Sequence, residues 1–182
     1  MKKILAIALL SSSWGSSSYA LNFLDKIAGM QNMNIHRTSA PTHKLIELEK
    51  YTDFTNNWKG SCVSNNHDTH DITLSIKNDE ETISFDGIEY DLNTLSTRSS
   101  AGDWGSDFTH VIMRWNENGD QLIINYTTVD NTNGMESFYS SIGKDTITLM
   151  SGQLIIKNNY QQFHNGIVKN VSSETCTLSP VE

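Results

Sequence analysis

The sequence predicts an all-β protein, an antiparallel meander of eight to nine short strands closed into a small barrel behind a short helical N-terminal segment. Three observations carry this reading. From Trp58 onward, apolar and polar residues alternate with a period of two, as in strands with one dry and one wet face. Turn-forming residues interrupt the alternation at short intervals. Between the runs there is no helical stretch long enough to cross from one parallel strand to the next.

The elements follow in order. Lys2 and Lys3 precede the apolar run Ile4 to Leu10, and Ser18-Tyr19-Ala20 has the small-x-small form of a cleavage site. Residues 1–20 therefore read as a secretory signal peptide, too short in its apolar part to span a bilayer. Residues 21–52 form a second region. Leu21, Phe23, Leu24, Ile27 and Ala28 recur at helical spacing, Pro41 interrupts, and Leu45, Ile46 and Leu48 suggest a second short helix or turn.

The barrel domain is expected over 53–182. Ile72, Leu74 and Ile76 alternate with polar residues, as do Ile83 with Phe85, and Ile88, Tyr90 and Leu92. Thr146 and Thr148 alternate with Ile147 and Leu149. Phe108 to Trp115 and Leu122 to Val129 are apolar on both faces and are expected to be the best-covered strands. Turns are expected at Asn78-Asp79, Asp86-Gly87, Asn118-Gly119-Asp120, Asn133-Gly134 and Gly143-Lys144-Asp145.

Composition narrows the function. The 182 residues carry a formal net charge of -8, and the sequence pI is about 5.1. Removal of Lys2 and Lys3 with the signal leaves -10. That balance argues against nucleic acid, whose binders need a basic stripe, and against an anionic membrane surface. Cys62 and Cys176 are the two cysteines, 114 residues apart. An even count in an exported chain implies a disulfide. In the chain-entropy treatment, closing a loop of about 100 residues is worth roughly 4.7 kcal/mol. Cys62 falls in the first barrel strand and Cys176 in the last, which are neighbours in an up-and-down barrel, so the bridge would staple the closing seam.

The stretch Phe54-Thr55-Asn56-Asn57-Trp58-Lys59-Gly60 resembles the opening motif of lipocalin-like small barrels, with Asn56 where that family favours glycine. The resemblance implies a cup-shaped interior that binds a small apolar molecule. Parity places Met113 with Trp115, and Ile124 with Tyr126, on one face each. Trp58, Met113, Trp115, Ile124 and Tyr126 are therefore the candidate ligand-binding residues of the interior. Trp104, between Gly102 and Gly105 in the connection 99–107, is a candidate contact at the barrel mouth.

Other chemistry is sparse. His67-Asp68-Thr69-His70-Asp71 concentrates imidazoles and carboxylates, but in a loop, with no third ligand of known position, so no metal site and no cofactor are assigned. His110 and Arg114 share a strand face, with Asp107 and Glu136 in the neighbourhood; nucleophile elbows, HExxH motifs and phosphate-binding glycine loops are missing, and no catalytic residue is assigned. The expected function is that of an exported, periplasmic or secreted, monomeric carrier of a small apolar or amphipathic ligand. The alternative is a protein-binding module such as an enzyme inhibitor, with a protein partner in place of the ligand.

Overall fold

The computed structural model describes residues 36–38, 51–102, 105–132 and 138–181. All regular structure among them is strand: β1 (His36–Thr38), β2 (Asn56–Ser64), β3 (Thr69–Asn78), β4 (Thr82–Phe85), β5 (Ile88–Asp91), β6 (Leu95–Gly102), β7 (Gly105–Trp115), β8 (Gln121–Thr132), β9 (Phe138–Met150), β10 (Gln153–His164) and β11 (Ile167–Pro180). The expected signal peptide, the helix near 21–31 and most of the expected segment 42–52 lie outside the described residues. Tyr51 and Thr52, at the end of that segment, are not helical.

The sheet order is β1-β6-β7-β8-β9-β10-β11-β2-β3-β4-β5, antiparallel throughout. Strands β2 to β11 are thus an up-and-down meander whose first and last members pair, and the barrel is nearly closed. Its open seam lies between β5 and β6, and β1 extends the sheet beyond β6. Cys176 stands opposite Cys62 across the β11–β2 pair, and the two are joined by a disulfide. The staple sits on the closing seam, as the spacing of the cysteines implies.

Several local expectations hold. Asp86-Gly87 closes the β4–β5 hairpin with both residues at positive φ (50° and 86°), the backbone of a two-residue type I′ loop. Asn118-Gly119-Asp120 turns β7 into β8, where Trp115 pairs with Leu122. Others need correction. Gly143-Lys144-Asp145 is not a turn: it runs straight through β9. The glycine is there because Tyr126 lies over it, and a Cβ at 143 would come within 1.8 Å of the Tyr126 ring. The connection 99–107 is not a long loop either. Ser99 to Gly102 pair with Phe108 to Gly105. The meander therefore has ten strands rather than eight or nine.

The inward side chains stack in rows fixed by register. One row runs Trp115, Leu122, Ile147, Ile156, Cys176 and Cys62 across six strands. All six are buried in a single apolar core with Trp58, Leu74, Ile83, Phe85 and Leu178. The chain entering β2 plugs this end. The Trp58 indole Nε1–H donates to the Phe54 carbonyl at 2.9 Å. Phe54 and Tyr51 pack on Trp115, with ring centroids 5.4 and 5.9 Å away. Gly60 is required here by close approach, since a Cβ would meet the Thr177 carbonyl oxygen at 2.0 Å.

Candidate functional site

Among the described residues, two places combine polar chemistry with a distinctive position, one inside the barrel and one on the outside of the long strands. The inner one is the row next to the apolar floor: Met113, Ile124, Asp145, Asn158 and Glu174. The buried Asn158 amide donates to Asp145 Oδ1 and, at 3.2 Å, to the Tyr126 hydroxyl. Burial pushes the Tyr126 phenol well above its ordinary range; the nearby Asp145 charge adds to this, and the bond from Asn158 opposes it. Glu174 lies beside the disulfide with its Oε1 3.4 Å from His70 Nδ1. Burial raises its pKa above the usual carboxylate range, and His70 pulls it back. Two rows further, the Thr109 and Thr128 hydroxyls hydrogen-bond at 3.2 Å. The Asn158–Asp145, Asn158–Tyr126 and Thr109–Thr128 bonds tie this layer together across the strands, whereas Glu174 Oε1 is buried with no hydrogen-bond partner among the described residues.

The outer place is an open groove of about 630 Å³. Its lining follows register. Leu95, Ile112, Asn125, Lys144, Asn159 and Ser173 form one row across β6 to β11. His110, Thr127, Ile142, Gln161 and Val171 form the next. These positions alternate with the buried ones, so most of the lining lies on the sheet face turned away from the core. Tyr126, Gly143, Tyr160, Ser172 and Asn65 complete the lining. Ile142 and Val171 are 53% and 56% exposed. Beyond them on the same face, Phe108, Val129, Phe138 and Val168 are also exposed. The groove volume is within the range of small-molecule sites, about 300–1,000 Å³.

The sequence-derived candidates divide between these places. Trp58, Met113, Trp115 and Ile124 are core side chains, 8% exposed or less. Tyr126 is also buried on the core side, and it is the candidate that lines the groove. Trp104 lies outside the described residues, as does Glu136. Phe108 to Trp115 and Leu122 to Val129 are covered on one face only. Phe108 and Val129 remain 43% and 38% exposed, because their outward parity places them on the groove face.

The histidine cluster is dispersed. His67 sits in the β2–β3 turn at positive φ, whereas His70 is in β3 and faces Glu174. Cys62, Glu174 and Cys176 approach within 4.8 Å, but the two sulfurs are bonded to each other and leave no thiolate to hold a metal. Of the groove residues, Leu95, Ile112, Ile142 and Val171 were not legible as a site. Their strands carry Thr, Asn and Lys on the same face, and composition of that kind reads as solvated surface. Comparison with protein-family models, with curated proteins and with solved structures returns no match.

Proposed function

We propose that this chain is an exported, monomeric small-ligand carrier, and that its ligand is held on the outer groove rather than in the barrel interior. The observation that carries this reading is the groove itself. It is concave, bordered by exposed aliphatic side chains at Ile142 and Val171, and rimmed by the amides of Asn125 and Asn159, a lining suited to an apolar or amphipathic molecule. The disulfide supports an oxidising compartment, periplasmic or extracellular. The lipocalin-like opening around Trp58 supports the carrier class. The buried ring of that tryptophan in a filled core favours the outside of the sheet as the place of binding.

The test is a fluorescence titration with N-phenyl-1-naphthylamine, a neutral apolar probe that brightens on leaving water. Saturable binding at one site per chain is expected, abolished in Ile142→Asn without loss of folded structure. Absence of saturable binding to the wild type would remove the carrier reading and favour a protein partner for the same exposed face.

A further inference from the structure

The charges on the two sides of the molecule are unevenly placed. On the outward face of β7 to β11, register defines four rows of five positions, beginning at Arg114, Ile112, His110 and Phe108. None of these twenty positions carries Asp or Glu, while Arg114, Lys144, Lys157 and His110 all do carry basic groups. This occurs in a chain with 21 acidic and 13 basic residues. The acidic residues collect elsewhere: Asp79, Glu80, Glu81, Asp86, Glu89 and Asp91 lie on β4, β5 and their turns. The face that bears the apolar groove is therefore the face from which carboxylates are missing.

Lys144 occupies the middle of that face. It lines the groove, is exposed, and pairs in register with Asn125 on one side and Asn159 on the other. An ammonium flanked by two primary amides offers several donors to one oxyanion. Lys157 and Arg114 lie one row beyond it, on the side away from Ile142. In the other direction the face becomes apolar: Ile142 and Val171 lie in the next row, Phe108, Val129, Phe163 and Val168 in the row after. From Lys144 to Phe138 is six residues of β9, about 20 Å at the strand rise of roughly 3.3 Å per residue. A charged head at Lys144 and a single apolar tail along this line would match the face.

Resting on the carrier reading above, we infer that the ligand is a free single-chain amphiphile with an anionic head, the head held at Lys144 and the tail lying over Ile142 and Val171. Charge and apolar area are ordered along one axis, which fixes the orientation of the ligand as well as its class. An acidic chain with a locally carboxylate-free face avoids repelling such a ligand without becoming basic overall.

The experiment displaces N-phenyl-1-naphthylamine from the folded protein with decanoate, decanol or decyltrimethylammonium, each kept below the concentration at which it forms micelles. The tail is constant and the head varies. Decanoate is expected to displace the probe about tenfold more effectively than decanol, and decyltrimethylammonium less effectively than either. The decanoate-to-decanol ratio is expected to fall toward one in Lys144→Met and to be kept in Lys144→Arg. Equal displacement by all three in the wild type, or an unchanged ratio in Lys144→Met, overturns the inference while leaving the groove as an apolar site. Failure of the probe itself to bind overturns the carrier reading, so the two failures are distinguishable.

Discussion

Ile112 and Met113 are adjacent in β7, yet they belong to different parts of the molecule. Met113 is 1% exposed and packs in the row with Ile124. Ile112 turns the other way and lines the groove. The same split recurs at Ile124 and Asn125, and at Asp145 and Lys144. One strand thus supplies a sealed side that holds the barrel together and an open side that is free to carry a ligand. Period-two alternation separates the two roles residue by residue, so substitutions one position apart are expected to have unlike consequences.

The largest effect is expected on the sealed side at the plugged end. Trp58→Ala removes a buried indole and its bond to the Phe54 carbonyl, a loss of about 3–5 kcal/mol by analogy with other large core truncations; the urea midpoint measures it. Replacing both cysteines by serine releases the staple between β2 and β11 and is expected to cost about 2–5 kcal/mol, seen equally as destabilisation of the wild type by reductant. Gly143→Ala comes next. The new methyl collides with the Tyr126 ring, a case of overpacking worth about 1–3 kcal/mol. An unchanged melting temperature would show that Tyr126 can swing aside.

A smaller effect of opposite sign is expected at Glu174. Its pKa in the folded chain is raised above that of the unfolded chain. The folded state therefore binds this proton more tightly, and the contribution of the group to stability is lost as pH rises through the raised value. Glu174→Gln should accordingly gain melting temperature relative to the wild type near neutral pH, with the gain vanishing in acid. A loss at neutral pH would mean that attraction to His70 outweighs burial. On the open side, Ile142→Ala is expected to change stability by no more than about 0.5 kcal/mol, while weakening capture of an apolar probe.

What was legible in the sequence follows the same division. The alternation at Ile72 to Ile76 and the parity of Met113 with Trp115 reveal which side chains are sealed, because burial selects strongly for apolar residues at every second position. The cysteines reveal the closing seam because a bridge demands neighbouring strands. Ser151-Gly152 and Asn165-Gly166, both at positive φ, carry the dipeptide signals of the last two hairpins, and reading them as turns would have placed β10 and β11. The groove had no such signal. Its residues are spread over six strands, and their nearness depends on register and sheet curvature, which local pattern does not encode. Gly143-Lys144-Asp145 resembles a turn, yet its glycine answers to a ring on the neighbouring strand.

The division between the two sides is tested most directly by titrating N-phenyl-1-naphthylamine into Ile142→Asn and Ile124→Val, both checked for intact secondary structure. Binding on the open face predicts that Ile142→Asn loses saturable fluorescence and that Ile124→Val keeps the wild-type affinity. The reverse outcome, weakened binding in Ile124→Val with Ile142→Asn unaffected, would place the ligand inside the barrel and contradict the account.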